Sequence, residues 1–382
     1  MNIYMEDNLC TVYKLLFNKM HIFFKKNRQV MVTKPSKADI IVIGLCAAFD
    51  ADEFRSSKII SRMEKLGKPI YTYGCLIKVN PGKIGKKIMF PSWDSKGLVE
   101  SIVKNPEVCW EDIVTPTEFR LKSDYRIYNH GKKLVNISTG CFFDCSYCPH
   151  KIGVGEIKSR SPKEILQQVK HLIKRDIQTI VLTGIDTACY GKGLDISFPR
   201  LLEMVLKICA KNTNLHIAQY NPEGLSMDFK KMVACCSDDR VSDIQLPIQS
   251  SSERLLNLMN RNYSKEIISE FIQTVKAKNK RIFFRTDIMV GFPTETKKEL
   301  HNSIDFAAGY FNEVAIYSFE LKCNTKIASS GLEFFTANEI KRRKEYAVKR
   351  LKSAGVILHS GGQDIKSLIK ADKIKEKNGK QR

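Results

Sequence analysis

The sequence predicts an α/β protein in two parts: an N-terminal parallel-sheet α/β domain followed by a partial (β/α) barrel. Strand-length apolar runs alternate with helix-length amphipathic stretches, first over residues 1–80 and then, for much longer, over 134–319. Between the two the pattern fades, and Pro81, Gly82, Gly85, Pro91, Pro106 and Pro116 punctuate the chain. The length agrees: at roughly 150 residues per domain, 382 residues allow two or three domains. With 43% hydrophobic and 27% charged residues the chain is too apolar to be disordered, and it is long enough to bury a core without disulfides.

In order along the chain, a short start (2–5) leads to a helix (11–24), strands at 29–32 and 39–44, a helix (52–66) closed by Gly67, and a strand (69–73). This defines a domain over 1–100 and a linker over 101–130. Strands at 134–138, 179–183, 215–218, 243–246, 283–290 and 313–319 then alternate with helices at 161–174, 197–211, 226–236, 264–278 and 296–309. Six such strands fit a full or partial (β/α) barrel, and equally an open doubly wound sheet. In either, chemistry belongs at the C-terminal strand ends. The second domain spans 131–355 and ends in a helix at 338–353. A basic tail, 356–382, is expected to be flexible, with a phosphate-gripping arm as the alternative.

The net charge is 63 − 41 = +22, with a pI near 9.4. Such an excess favours a polyanionic partner, nucleic acid before membrane, because Lys and Arg displace counterions condensed on phosphates. A lysine-rich proteome would give the same scatter of lysines. The most apolar stretch, 38–49, is shorter than the ~18 to 20 residues a bilayer demands, so no membrane association is expected. The first thirty residues show no cleavable signal pattern, and a cytoplasmic protein is expected. There the 12 cysteines stay reduced, and clusters of them read as metal ligands or catalysts.

One cluster follows the first barrel strand: Cys141-Phe-Phe-Asp-Cys145-Ser-Tyr-Cys148. Zinc takes four ligands, and only His150 is near enough in sequence to complete a set. A 4Fe–4S cluster held by three cysteines leaves one iron open. That iron can chelate the amino and carboxylate groups of S-adenosylmethionine and pass an electron to its sulfonium. The radical-generating cluster is therefore preferred over structural zinc. Cys10, Cys46 and Cys75 are the only cysteines of the N-terminal domain, each near a strand end or turn. Spacing alone favours three separate buried thiols, although strand ends in such a unit can converge. Cysteines 109, 189, 209, 235, 236 and 323 show no metal spacing and read as structural.

Further segments narrow the reading. Gln245-Leu-Pro-Ile-Gln-Ser-Ser-Ser-Glu-Arg-Leu-Leu with Met259-Asn-Arg-Asn-Tyr-Ser is similar to the PLQSGS…MNR.Y block of the radical S-adenosylmethionine methylthiotransferases. Thr286-Asp-Ile-Met-Val-Gly-Phe-Pro-Thr-Glu-Thr, Val181-Leu-Thr-Gly-Ile-Asp with Tyr190-Gly191, and Ser159-Arg160 also resemble that family, over roughly residues 1–350. The resemblance implies a radical SAM partial (β/α) barrel, and an auxiliary 4Fe–4S cluster on Cys10, Cys46 and Cys75, two clusters in all. Cys75 in Tyr-Gly-Cys fits the pattern, whereas Cys46 stands in Gly-Leu-Cys for Asn-Thr-Cys and Cys10 lacks a preceding glycine. It implies a 5′-deoxyadenosyl radical from the Cys141/Cys145/Cys148 cluster, a sulfur carried at the other and methylated by a second S-adenosylmethionine, and a C–S–CH3 product. The clusters would face each other across the domain interface, with a flavodoxin- or ferredoxin-type reducing partner. Tyr147 is expected on the adenine, the Gly184 loop at the methionine end, and the Gly291–Glu295 turn, with Gly291 and Glu295, at the adenosine. Ser251 replaces the glycine of Ser-Gly-Ser, so either the pocket changes or φ there is negative.

The family acts on a tRNA adenosine beside the anticodon or on an aspartate of a ribosomal protein. The basic charge leans to tRNA. Family members commonly end in a small RNA-gripping β-barrel domain, whereas here about 30 residues without strand alternation follow the last expected helix. Either the basic tail and surface replace it, or the substrate is a peptide or protein side chain, methylthiolated or given sulfur without methyl. A non-catalytic iron–sulfur or RNA-binding protein is the alternative of another class, disfavoured by the intact cysteine triad and the Gly291–Glu295 motif.

Overall fold

A computed structural model describes residues 1–85, 87–118 and 131–359. The described chain forms two compact units, Met1–Val114 and Thr115–His359.

The first unit is a parallel sheet of β1 (Asn2–Asp7), β2 (Val30–Met31), β3 (Ile40–Gly44), β4 (Ile70–Gly74) and β5 (Ile88–Pro91), in the order β2-β1-β3-β4-β5. Its helices are α1 (Thr11–Lys26), α2 (Asp50–Glu64), α3 (Leu76–Val79) and α4 (Ser95–Ile102). β3 reads Ile-Ile-Val-Ile-Gly and is buried throughout, as a central parallel strand covered on both faces must be. α1 sends Tyr13, Phe17, Met20, Phe23 and Phe24 into the core. β5 and α4 carry little sequence signal, because Ile88 and Met89 lie on an exposed edge and no burial pattern marks them. The linker expected over 101–130 falls partly outside the described residues, and α4 runs into its first positions.

The second unit opens with β6 (Lys133–Asn136) and a two-stranded antiparallel ribbon, β7 (Ser138–Thr139) and β8 (Lys158–Ser159). β9 (Thr179–Thr183), β10 (Asn214–Ile217), β11 (Val241–Gln245), β12 (Phe283–Val290), β13 (Glu313–Ser318) and β14 (Ile357–His359) follow. Its helices are α5 (Pro149–Val154), α6 (Pro162–Lys174), α7 (Phe198–Ile208), α8 (Glu223–Cys236), α9 (Glu253–Leu258), α10 (Lys265–Lys278), α11 (Lys297–Tyr310) and α12 (Ala337–Ser353). Seven strands lie side by side in chain order, β6-β9-β10-β11-β12-β13-β14, all parallel. A doubly wound sheet would reverse its order at a switch point. This one does not, and its outer strands β6 and β14 are not paired among the described residues, so it is a partial barrel.

The tail expected over 356–382 is corrected at its start. Ile357–His359 pairs with Glu313–Ala315 as the seventh strand, because two apolar residues there complete the edge of the sheet. Residues 360–382 lie outside the described residues, as does the basic arm assigned to them.

Period-two alternation divides each strand between two faces. On β12, Phe284, Ile288 and Val290 join the apolar core with Leu201, Val205, Phe271 and Ile304 of the helices. Arg285 and Asp287 take the opposite face, where Arg285 Nε donates to the Asp243 carboxylate at 2.9 Å. The strand-lined interior is thus polar. Among the described residues no helix is long and apolar enough to cross a membrane.

Candidate functional site

The loop that leaves β7 carries Cys141, Cys145 and Cys148 and is pinned from several directions. Cys141 N donates to Gly155 O (3.1 Å), and Cys148 N to Cys145 O (3.1 Å). Ser146 N and Oγ donate to the carbonyls of Met259 (3.0 Å) and Leu258 (2.7 Å), at the C-terminal end of α9. Ile327 N returns to Ser146 O at 2.9 Å, and Lys326 pairs with Asp144. The three sulfurs stand close enough to feel one another. Cys141 is pushed up first by burial, then by Asp186, Cys148 and Cys145. Burial also raises Cys145 and Cys148, opposed by Arg261 at the first and by the His150 and Lys151 amides at the second.

In the first unit the in-register pairs Asp7↔Gly44 and Gly44↔Tyr73 set the ends of β1, β3 and β4 level. Cys10 caps α1, Cys46 follows Gly44 by two residues, and Cys75 caps α3, so all three leave the same sheet edge. Cys46 is raised by burial and then by Asp52, Cys10 and Cys75, so these thiols too share one neighbourhood. Burial pushes Cys10 up to about 11, against the Tyr13 and Val12 amides at the start of α1. Asn8 holds this turn. Its Oδ1 accepts from Cys46 N (3.0 Å) and Ser56 Oγ (3.1 Å), and its Nδ2 donates to Asp52 O (2.9 Å).

Each set offers three desolvated thiols that repel one another when ionised, the donor chemistry that a 4Fe–4S cluster with one open corner satisfies. Among the described residues no three His, Cys, Asp or Glu side chains gather around a single metal ion. A cube does not ask that of them, since each thiolate binds a different iron.

Of the residues expected at S-adenosylmethionine, Tyr147, Gly291 and Glu295 come together at one turn. Tyr147 meets Phe292 edge-on at 6.2 Å between ring centres, which sets it against the turn after β12. Gly291 in that turn has φ +77°, and a Cβ there would stand 2.7 Å from the Ile340 side chain. Glu295 braces the turn from within, its Oε2 accepting from Gly291 N (3.0 Å) and from Arg343 Nη1 (2.8 Å). Its carboxylate is already engaged by the chain itself. Gly184 lies beside the ribbon, where a Cβ would come within 2.6 Å of Ser138 Oγ. Ser251, at the replaced glycine, is absent from the residues of positive φ, which is the second of the two readings of that position.

A Radical SAM superfamily model matches residues 135–307, from the first barrel strand to α11. Over those residues the chain is similar to the radical SAM superfamily. Curated proteins named as methylthiotransferases are among those it is similar to. A probable threonylcarbamoyladenosine tRNA methylthiotransferase of Pyrococcus abyssi is 27% identical over 72% of this chain and 66% of its own length. A tRNA-2-methylthio-N(6)-dimethylallyladenosine synthase of Hydrogenobaculum sp. is 34% identical over 50% of this chain and 44% of its own. The ribosomal protein uS12 methylthiotransferase RimO of Syntrophomonas wolfei is 27% identical over 92% and 83%. The chain thus spans less than two thirds of the length of the first two of these relatives. Among solved structures, the radical S-adenosylmethionine methyltransferase TsrM of Kitasatospora setae, with cobalamin and a [4Fe-4S] cluster bound, superposes with a TM-score of 0.62. That match covers 85% of this chain and 76% of TsrM at 12% identity, a likeness of fold. The match to the radical SAM superfamily implies a 4Fe–4S cluster and S-adenosylmethionine.

Several polar groups of this seven-stranded unit carry no sequence signal of a role. Asp186 is 2% exposed, its Oδ1 accepts from Ala188 N (3.0 Å), and its Oδ2 has no hydrogen-bond partner. Burial raises it to about 6. Arg261 lies within the Met-Asn-Arg-Asn-Tyr segment, whose resemblance marks the family without assigning the arginine a task. Asp287 is raised to about 6 by burial, although Gln245 Nε2 donates to its two oxygens at 3.2 and 3.1 Å.

Asp287 yields a prediction. The folded chain holds this proton more tightly than an unfolded aspartate does, so its ionisation works against folding. Below about pH 4 the group costs nothing, and stability is lost as pH rises to about 6. Asp287→Asn, which keeps an acceptor for Gln245, is expected to stabilise the apo chain by about 1–3 kcal/mol at pH 7.5 and hardly at all at pH 4. Thermal unfolding at the two pH values measures it, and equal shifts at both would refute it.

Proposed function

We propose that the protein is a radical SAM methylthiotransferase, converting a C–H bond to C–S–CH3 with two 4Fe–4S clusters, on a tRNA adenosine beside the anticodon. The observation that carries this reading is the doubled arrangement: three cysteines in one pinned loop of the barrel unit, and three at neighbouring strand ends of the other. Cys141, Cys145 and Cys148 would hold one cluster, and Cys10, Cys46 and Cys75 the second. When bound, these groups supply the electron that cleaves S-adenosylmethionine and the sulfur that is transferred.

The chain itself supplies position. The 258–261 segment and Ile327 fix the cysteine loop. Tyr147 and the Gly291 turn, braced by Glu295 and Arg343, would offer an aromatic ring and a turn without a side chain at Gly291 to the adenosine. Gly184 lets the strand end approach the ribbon. The charge of +22 and the names of two relatives support tRNA. A flavodoxin- or ferredoxin-type protein in the cytoplasm would provide the electrons.

Coverage favours a second reading. The relative named for uS12 matches 92% of this chain and 83% of itself, which supports a protein side chain as substrate. The test is an anaerobic reaction of the reconstituted protein with S-adenosylmethionine and a reductant, run separately on tRNA lacking the modification and on a uS12 peptide. Mass spectrometry reads the methylthio increment. Increment on tRNA alone supports the proposal, on the peptide alone moves the assignment to protein, and on neither, despite 5′-deoxyadenosine formation, overturns both.

A further inference from the structure

The Arg261 guanidinium is 6% exposed and makes no ion pair among the described residues. Its five N–H groups have five acceptors. Nε donates to Tyr263 Oη (3.1 Å), and Nη2 to Pro247 O (2.7 Å) and Asn221 Oδ1 (3.1 Å). Nη1 donates to Tyr147 Oη (3.4 Å) and Cys145 Sγ (3.7 Å). All but the sulfur are neutral in every state of the protein near neutral pH. A buried cation without a counter-charge is costly. With every donor engaged it has none left for a small ligand, so it is no substrate clamp.

Resting on the reading above, we propose that Arg261 is a positioning residue for the barrel cluster: it holds Cys145 as a ligand and raises the potential at which the cluster accepts its electron. The segment after α9 pins the loop at Ser146 and also carries this arginine, so the cation stays at one place against the sulfur. One-electron reduction by an external donor such as dithionite adds one negative charge beside the guanidinium and breaks no bond. A hydrogen bond to a ligand sulfur and a fixed positive charge both favour the more negative, reduced state. Asp186 and Asp287 feel the same cation but are not bonded to it.

The experiment uses the full chain with Cys10, Cys46 and Cys75 replaced by alanine, reconstituted without oxygen, so that one cluster remains. Arg261→Met and Arg261→Lys are compared with that parent in iron content, in melting temperature and in midpoint potential by EPR-monitored titration. The expected result is iron retained in the lysine variant, a midpoint shifted to more negative values in both, and the larger shift in the methionine variant. Potentials unchanged in an iron-loaded lysine or methionine variant overturn the proposal. Should the methionine variant not fold, the lysine variant alone decides by the same shift. A parent without iron overturns the ligand assignment itself, and the proposal with it.

Discussion

Changing Cys141, Cys145 and Cys148 together to alanine is expected to remove about four of about eight iron atoms from the anaerobically reconstituted chain and to reduce 5′-deoxyadenosine formation to background. The loop's other anchors involve backbone groups, Ser146, Asp144 and Asn260, none of which the substitutions touch. The fold should therefore survive, with circular dichroism close to that of the parent. The change does leave one Arg261 N–H without its sulfur, a loss of about 1–3 kcal/mol. Iron quantification and product chromatography check the result, and undiminished iron would show that the loop does not hold it.

The complementary change, Cys10, Cys46 and Cys75 to alanine, is expected to remove the other half of the iron, keep 5′-deoxyadenosine formation and abolish the methylthio product. The separation follows from architecture: Cys10, Cys46 and Cys75 lie on the five-stranded unit, Cys141, Cys145 and Cys148 on the seven-stranded one, and each unit has its own sheet. Cys46 and Cys75 are buried, so truncating each leaves a methyl-sized void worth about 1 kcal/mol, which a cooperative domain tolerates. S-adenosylmethionine cleavage lost along with the product would mean that the two sets do not act separately.

Much of this was legible in the residues. Alternation exposed every strand whose side chains are buried by a helix layer, and β3 and β12 are the clearest examples. It failed where burial is one-sided or brief: β5 on an exposed edge, β14 with three residues, and α5 and α9, each of six residues, too short for a helical period to declare itself. The choice between barrel and doubly wound sheet needed strand order, which periodicity does not encode. At the site, the Cys141–Cys148 spacing is local and can be read directly. The meeting of Cys10, Cys46 and Cys75 depends on the register of three strands, so the residues alone left it open. Arg261 went without a role because a cation's meaning lies in its acceptors, and these come from four separated stretches: Cys145 and Tyr147, Asn221, Pro247, and Tyr263.

The levelled strand ends of the five-stranded unit have a bearing on how the polypeptide matures. Between Cys141 and Cys148 lie only six residues, a short enough stretch for a nascent chain to wrap around iron before any tertiary structure exists. The other trio is separated by 46 − 10 = 36 and 75 − 46 = 29 positions and converges only after three strands have docked in parallel. If these residues hold the second cluster as proposed, its insertion would have to wait for folding and would meet a finished pocket instead of a flexible peptide.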